Sequence, residues 1–298
     1  MGRHTGRVAL LAAATAVALL ATAVTATAMS ADNCTYTFPD RGDTKATLVK
    51  GEVACGGPGS DRITTMRGGI FYGRGGQDGV EKMNGGTFYG GRGWDFVSEL
   101  NRGTFVGGRG AEWVEDLNGG VFRGNGGVDE VSNQHGGTFH GGRGTDNISY
   151  LYKGRFYGND GDDQVTEWQH GGLFVGGPGD DRVDNLIGGA FRGGLGRDRV
   201  WRLVGGTFYG GAEADYVRTA REVARFEGGR GADAVRFLFD GAIFNGSRGN
   251  DAVRRYLIDA TFNGGRGSDS AVVGECSITE SLTGVERVST VPCPSWVA

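Results

Sequence analysis

The stretch "GGRGWDFVSELNRGTFVGGRGAEWV", residues 90–114, contains the same six-residue phrase twice, seventeen residues apart. Each copy has the form Gly-Gly-Arg-Gly-X-acid, and the copies end at Asp95 and Glu112. A valine follows two residues after each acid, and Phe105 lies seven residues before the second one. A period shared by glycines, acids and apolar residues indicates a repeat architecture, so this stretch decides the fold class.

The same period runs through most of the chain. Aligned on the acid that ends each phrase, thirteen units follow one another, and successive acids are seventeen positions apart in eight cases and eighteen in four. A phenylalanine precedes nearly every acid by seven residues, and a valine or isoleucine follows by two. The aligned acids are Asp61, Asp78, Asp95, Glu112, Asp129, Asp146, Asp163, Asp181, Asp198, Asp215, Asp233, Asp251 and Asp269.

One unit divides into a turn, the short strand "FVS", a second turn and the short strand "TFV". Because side chains alternate along a strand, Val97 and Phe105 face inward together. A single unit cannot bury them, but stacked units form continuous apolar rows. The sequence therefore predicts an all-β fold, a parallel β-solenoid of about 13 coils of 17–18 residues. Glycine is expected at the corners, where tight turns require positive φ.

Composition supports this fold class. Glycine accounts for 60 of the 298 residues, yet there is no Gly-X-Y period, which excludes collagen. Phenylalanine is plentiful and charged residues make up 22%, which disfavours a disordered linker.

The N-terminal segment, residues 1–28, is typical of an export signal. Arg3 and Arg7 precede an apolar run over 8–24, and Ala26-Thr27-Ala28 gives a small-X-small cleavage site. The alternative is an uncleaved membrane anchor, but the run is shorter than the ~20 residues that a bilayer requires. We expect a secreted, extracellular protein with no membrane span in the mature chain. Without its two arginines the mature chain is more acidic still, so nucleic acid is not an expected partner.

The four cysteines lie outside the repeats. Cys34 and Cys55 precede the first coil, whereas Cys276 and Cys293 follow the last one. An even count in an exported protein predicts disulfides, and a rod holds the two pairs far beyond the ~7 Å limit for bridged Cα atoms. We therefore expect Cys34–Cys55 and Cys276–Cys293 within disulfide-bonded end caps. The predicted division is signal peptide 1–28, N-terminal cap 29–55, solenoid 56–273 and C-terminal cap 274–298.

Stacking the units places the acids in a row, one per coil. Two carboxylates ~5 Å apart repel by about 1 kcal/mol in water and by ~3.5 kcal/mol at an effective dielectric of 20. Carboxylates and the carbonyls of glycine-rich turns are oxygen ligands that suit calcium. The alternative is a polar edge neutralised by arginines at the third position of the phrase, namely Arg92, Arg109, Arg143, Arg230, Arg248 and Arg266.

The phrase also resembles the RTX (haemolysin-type) calcium-binding nonapeptide, GGxGxDxUx. Seven turns match GGxGxD in full, beginning with Gly56–Asp61 and ending with Gly264–Asp269, and the resemblance covers residues 56–271. It implies that Ca²⁺ lies between the turns of adjacent coils, held by turn carbonyls and acid side chains. The metal ligands so predicted are Asp61, Asp78, Asp95, Glu112, Asp129, Asp146, Asp163, Asp181, Asp198, Asp233, Asp251 and Asp269.

The chain departs from the RTX pattern in several ways. The phrase occurs on one edge of each coil rather than on both, and the export signal is N-terminal. The turn "GGAEAD" has Glu213 in place of the fourth glycine, which leaves Asp215 outside the predicted set. Four other turns replace the second glycine, with Arg74, Asn125, Asn159 and Ser247.

No catalytic constellation is present in the sequence, and we expect a protein that is not an enzyme. HExxH, GxSxG and P-loop motifs are missing. Of the three histidines, His135, His140 and His170, the first and last lie two coils apart, too far to share one metal, and are interpreted as corner residues. The alternative function is an adhesin-like or glycan-binding module, in which calcium is only structural or absent. Phe96 and Trp113 are expected to form one aromatic patch on successive coils, where an extracellular glycan or cell-surface protein would be the partner.

Overall fold

The computed structural model describes residues 33–277 and 281–292, and the described residues from Cys34 onward belong to one compact unit. The predicted signal peptide, residues 1–28, and the predicted bridge partner Cys293 lie outside these ranges. Among the described residues, no helix is long and apolar enough to cross a bilayer.

The predicted parallel β-solenoid is confirmed. The pairings between described strands are parallel, and they join each strand to its counterpart in the coils before and after it. In chain order the strands are β1 (Tyr36–Thr37), β2 (Thr44–Leu48), β3 (Val53–Cys55), β4 (Arg62–Gly76), β5 (Gly79–Gly93), β6 (Phe96–Gly108), β7 (Trp113–Leu117), β8 (Val121–Gly126), β9 (Glu130–Gln134), β10 (Thr138–Arg143), β11 (Asn147–Leu151), β12 (Arg155–Asp160), β13 (Gln164–Gln169), β14 (Leu173–Pro178), β15 (Arg182–Leu186), β16 (Ala190–Leu195), β17 (Arg199–Leu203), β18 (Thr207–Ala212), β19 (Tyr216–Ala220), β20 (Arg225–Arg230), β21 (Ala234–Phe239), β22 (Ile243–Arg248), β23 (Ala252–Ile258), β24 (Thr261–Arg266), β25 (Ser270–Gly274), β26 (Ser281–Thr283) and β27 (Arg287–Val291).

The strands form two rows, here called the valine row and the phenylalanine row after their buried residues. The valine row runs from β2 to β27 and the phenylalanine row from β1 to β26, while β4, β5 and β6 bend around a corner and belong to both. Each row contains about fifteen strands, so the solenoid has about fifteen turns rather than the predicted thirteen. The additional turns come from β1–β3 and β26–β27, which stack on the repeats although their sequences lack the complete phrase.

The core consists of apolar ladders parallel to the solenoid axis. Twelve phenylalanines, from Phe71 to Phe262, are fully buried, and successive rings stack with centroids 4.6–4.9 Å apart. Burial of each ring contributes about 2–3 kcal/mol, and stacking adds roughly 0.5–1.5 kcal/mol. A valine or isoleucine ladder and a leucine or methionine ladder, both from the valine row, complete the interior.

The longer coils accommodate their extra residue without interrupting the phenylalanine ladder. In β13 the pairing with β15 shifts between Val165 and Gln169, which places an additional residue on one side. Such a bulge bends the strand locally. Phe156 and Phe174 on either side of the insertion remain stacked at 4.6 Å.

The predicted N-terminal disulfide is confirmed. Cys34 and Cys55 are bridged, with their Cα atoms 5.8 Å apart. Closing this loop contributes roughly 3 kcal/mol by chain-entropy arithmetic. The Cys276–Cys293 bridge stays a prediction, because Cys293 is outside the described residues.

Two glutamines interrupt the leucine ladder. Gln134 and Gln169 are fully buried at positions where other coils place leucine, methionine or a small apolar residue. The Gln169 side-chain amide donates to the Ala190 carbonyl at 2.9 Å, but its Oε1 has no hydrogen-bond partner among the described residues. A buried, unsatisfied acceptor destabilises the fold.

We therefore expect Gln169→Leu to stabilise the protein. The substitution removes the unsatisfied oxygen and continues the apolar ladder, which should be worth about 1 kcal/mol and raise the thermal midpoint by roughly 2–4 °C. Thermal unfolding followed by circular dichroism measures the shift. The matched control is Leu186→Gln in the next coil, which should lower the midpoint; if both substitutions lower it, the glutamine amide is a net stabilising contact.

Candidate metal centre

The aligned acids lie inside the solenoid, at the corner where each glycine-rich turn enters the valine row. We call the thirteen acids from Asp61 to Asp269, Asp215 included, the acid ladder. Every member is at most 1% exposed. The structure therefore excludes a solvated polar edge and brings all twelve predicted metal ligands, together with Asp215, into one buried row.

One oxygen of each aspartate links neighbouring coils. The backbone N–H of Asp146 donates to Oδ1 of Asp163 at 2.7 Å, and the N–H of Asp163 donates to Oδ1 of Asp181 at 2.8 Å. The same contact recurs at 2.7–2.9 Å wherever the accepting member, from Asp78 to Asp269, is an aspartate. Hydrogen bonds to a charged group are among the stronger ones in proteins, so the ladder joins each turn to the next.

The second oxygen has no such partner. Among the described residues, no hydrogen-bond donor reaches the Oδ2 atoms of Asp78, Asp95, Asp129, Asp146, Asp163, Asp181, Asp198, Asp215, Asp233, Asp251 and Asp269. Most buried polar atoms in folded proteins are hydrogen-bonded, and each exception requires an explanation such as a proton, a water molecule or an ion. A whole row of unpartnered carboxylate oxygens is the central chemical feature of this structure.

The first glycine of the turn provides the space for this oxygen. A Cβ atom on Gly141 would lie 2.0 Å from Oδ2 of Asp146, and one on Gly193 would lie 1.8 Å from Oδ2 of Asp198. Neither glycine has positive φ. At this position glycine is therefore required by the acid rather than by the backbone conformation.

The second and fourth residues of the turn require glycine for other reasons. At the fourth position Gly144 has a φ of 135°, and a Cβ atom on it would lie 1.6 Å from the carbonyl oxygen of Gly127. At the second position the φ is also positive in eleven of the thirteen turns, and Asn125 and Asn159 adopt 77° and 78° there. Asparagine tolerates this region better than most residues, so these departures from the phrase keep the turn geometry.

Burial raises the pKa of the ladder acids from Asp61 to Asp251. Desolvation is the largest cause, and the hydrogen bond from the preceding acid's N–H offsets part of it. The pKa of Asp163 and of Asp181 is raised to about 8, that of Asp215 to about 9, and that of Asp95 to about 6. Without a cation, much of the ladder would therefore retain protons near neutral pH.

The third-position arginines do not neutralise the ladder. Arg92, Arg109, Arg143, Arg230, Arg248 and Arg266 are all exposed. None of the ion pairs found among the described residues includes a ladder acid, and Arg143 faces the exposed Asp160 at 3.9 Å instead. The alternative of an arginine-neutralised edge is not supported.

The row of hydrogen bonds between coils continues beyond the thirteen aligned acids at both ends. The Asp43 N–H donates to Oδ1 of Asp61 at 3.2 Å, and the Asp269 N–H donates to Glu286 Oε2 at 2.6 Å. Asp43 lies eighteen positions before Asp61, and Glu286 lies seventeen positions after Asp269, so spacing alone could have identified them. Neither residue follows a glycine phrase. Asp61 differs from the other members because Gly57 N–H also donates to its Oδ2, at 2.9 Å.

The turns that end at Glu112 and Asp215 depart from the phrase, with opposite effects on the ladder hydrogen bond. Asp215 keeps the ladder geometry despite Glu213, since its Oδ1 accepts the Asp198 N–H at 2.9 Å. The Glu112 carboxyl group does not accept the Asp95 N–H and lies beside the Asp129 carboxyl group instead. Burial and the neighbouring Asp129 carboxyl raise the pKa of Glu112 to about 9.

Other chemistry-bearing residues do not converge on a site. Within the described ranges, no group of three or more His, Cys, Asp or Glu side chains is arranged to hold a metal. His135 and His170 are stacked on opposite faces of Tyr152, with ring centroids 4.8 and 5.2 Å away from its ring. A cation bound at the ladder would need backbone oxygens in addition to carboxylates.

The expected aromatic patch is present on the outer face of the valine row. Phe96 and Trp113 are register partners on successive coils. The Trp94 ring lies 5.8 Å from that of Phe96 and 6.2 Å from that of Trp113, and Trp94 is 40% exposed.

Comparisons with known proteins give no relative for this arrangement: no family model matches the chain, and neither curated proteins nor solved structures provide a match. The resemblance to RTX repeats therefore depends on the turn phrase.

Glu112→Asp should restore the ladder hydrogen bond that is missing in this coil. The shorter side chain places a carboxylate oxygen where it accepts the Asp95 N–H, which should stabilise the protein by about 1 kcal/mol and raise the thermal midpoint by roughly 2 °C. Asp146→Glu is the matched reverse change and should lower the midpoint. A loss of stability in Glu112→Asp, measured in chelator by circular dichroism, would show that this coil requires the longer acid.

The metal-free protein should become less stable as pH rises. The ladder acids from Asp61 to Asp251 have a raised pKa in the folded state, so the folded chain binds more protons than the unfolded chain above pH ~4. Their stabilising contribution is complete below the ordinary aspartate pKa and is lost as pH rises through about 6 to 9. Thermal midpoints measured in chelator from pH 5 to pH 9 test this; a midpoint that increases over this range would contradict it.

Proposed function

We propose that the chain is a calcium-binding repeat protein, in which Ca²⁺ ions bound between successive glycine-rich turns neutralise the acid ladder and stabilise the solenoid. The observation that carries the proposal is the row of buried Oδ2 atoms without donors. The ladder acids would hold the ions together with carbonyl oxygens of the turns, and calcium would supply positive charge between coils.

Calcium fits this donor set better than other common cations. The ligands are hard oxygens, which disfavours zinc and copper. Magnesium retains several water molecules and demands ideal octahedral coordination, for which a closely packed turn has little room. Calcium accepts six to eight oxygens in flexible arrangements.

We further propose that binding occurs outside the cell. The pattern of residues 1–28 supports export, and extracellular calcium sites commonly have dissociation constants of about 10⁻⁴–10⁻³ M. Because ligand that binds the folded state alone stabilises it by mass action, calcium outside the cell would promote folding after export. The likeness of seven turns to the RTX phrase supports calcium binding at these turns.

Thermal unfolding followed by circular dichroism tests the proposal. Each filled site should contribute about 1 kcal/mol at calcium concentrations several-fold above its dissociation constant, so several sites should raise the midpoint by about 10 °C or more over chelator. Magnesium at the same concentration should have a much smaller effect. Identical curves with calcium and with chelator would contradict the proposal.

Asp163→Asn makes this test specific to the ladder. Asparagine retains an oxygen that accepts the Asp146 N–H, but it removes one buried charge. We expect the variant to be more stable than the wild type in chelator at pH 8 and to gain less from calcium. The matched control is Asp160→Asn, which removes an exposed charge and should leave the calcium effect unchanged.

The second candidate function is glycan binding, with calcium structural. The observation that favours it is the patch of Trp94, Phe96 and Trp113, because parallel, partly exposed rings offer apolar faces to sugars. Trp94→Ala should then abolish binding to a glycan array without changing calcium-dependent unfolding.

A further inference from the structure

Three arginines form a continuous row on the surface of the C-terminal coils. Arg230, Arg248 and Arg266 occupy the third position of three consecutive turns, and they are direct register partners. All three are exposed. Among the ion pairs of the described residues none includes any of them, so their charges face solvent. We call these residues the arginine file.

The backbone beneath the arginine file is held in place. The Gly231 N–H donates to the Arg248 carbonyl and the Gly249 N–H donates to the Arg266 carbonyl, both at 2.9 Å. These bonds extend the β-ladder through the turn itself. The arginine Cα atoms are therefore fixed one rung apart, and side-chain rotation alone sets the positions of the guanidinium groups.

A shallow groove of about 530 Å³ adjoins the file. Its floor consists of the second residues of four consecutive turns, and Arg230 and Arg248 lie at its side; the lining residues are Gly194, Gly211, Ala212, Gly229, Arg230, Ser247 and Arg248. Because the floor lacks large side chains, the groove is open along the solenoid axis. An extended chain fits this shape better than a compact molecule.

The positive charge of this surface favours an anionic partner. Like charges one rung apart repel, and the nearest ladder acids, Asp233 and Asp251, are buried and do not pair with the arginines. Glu213, in the turn at the upstream end, is exposed and limits the basic surface to the three following rungs. A polymer with regularly spaced anionic groups would relieve the repulsion at every rung.

We propose that the groove and the arginine file bind an acidic polysaccharide along the solenoid axis. Guanidinium groups pair bidentately with carboxylates and sulfates. One sugar ring of an extended polysaccharide has a length close to the separation of two adjacent rungs, so successive acidic sugars would meet successive arginines. Single-stranded nucleic acid is disfavoured because the residues lining the groove include no aromatic ring on which bases would stack.

Binding of fluorescent dextran sulfate oligomers to the full-length protein, measured by anisotropy at fixed calcium, tests the proposal. Uncharged dextran of the same length is the ligand control and should not bind. The triple variant Arg230→Gln, Arg248→Gln, Arg266→Gln should weaken dextran sulfate binding by about tenfold or more. The thermal midpoint in calcium verifies that the variant is folded.

The matched protein control is Arg92→Gln, Arg109→Gln, Arg143→Gln. It removes the same charge from the same turn position, but Gly126 interrupts that row. Its affinity should stay within about twofold of wild type, because three adjacent guanidinium groups are required. Equal losses in the two triple variants, or unchanged binding in the first, would overturn the proposal. Duplex DNA that competes at lower charge concentration than dextran sulfate would overturn the assignment to a polysaccharide.

Discussion

The hydrogen bond from the backbone N–H of one ladder acid to Oδ1 of the next is the contact on which the turn architecture depends. It directs the carboxyl group of each ladder aspartate inward, and so it buries an ionisable group in these coils. That burial in turn explains the first glycine, whose missing Cβ leaves room for Oδ2. The regular spacing of the acids then follows, because every acid must lie at the same corner of its coil to form this hydrogen bond. One polar contact thus accounts for much of the phrase that the sequence repeats.

The apolar and polar ladders have different roles in the fold. Stacked rings such as Phe139 and Phe156, 4.8 Å apart, supply stabilisation that any similar apolar row would supply. The acid ladder fixes the register between adjacent coils, because a carboxyl group shifted by one position along the chain would not reach the same backbone N–H. Its cost is the desolvation of buried carboxyl groups, which raises the pKa of acids such as Asp163 and Asp215. A cation or a proton must offset this cost, and calcium is the cation that the donor oxygens fit.

Periodicity predicted the repeats and the inward phenylalanines, because these depend on spacing along the chain. The resulting rod, together with the even cysteine count, predicted the Cys34–Cys55 bridge. The coils at both ends were missed, since Asp43 and Glu286 continue the row of hydrogen bonds without a glycine phrase. The burial of the acids was also missed, because spacing does not reveal to which side of a turn a side chain points. Gln134 shows the same limit. Its position is apolar in the repeat pattern, and its side-chain Nε2 donates to the backbone carbonyls of Gly136 and Arg155, which the sequence does not disclose.

The protonation state of the ladder tests the central claim most directly. Infrared difference spectroscopy of protein labelled with ¹³C at the aspartate side-chain carboxyl distinguishes a protonated, buried carboxyl group from a carboxylate bound to metal. At neutral pH in chelator, the account predicts an absorption band of buried carboxylic acid. Saturating calcium should remove that band and replace it with the signal of coordinated carboxylate. A carboxylic-acid band that persists in saturating calcium would show that protons, and not calcium, neutralise the ladder.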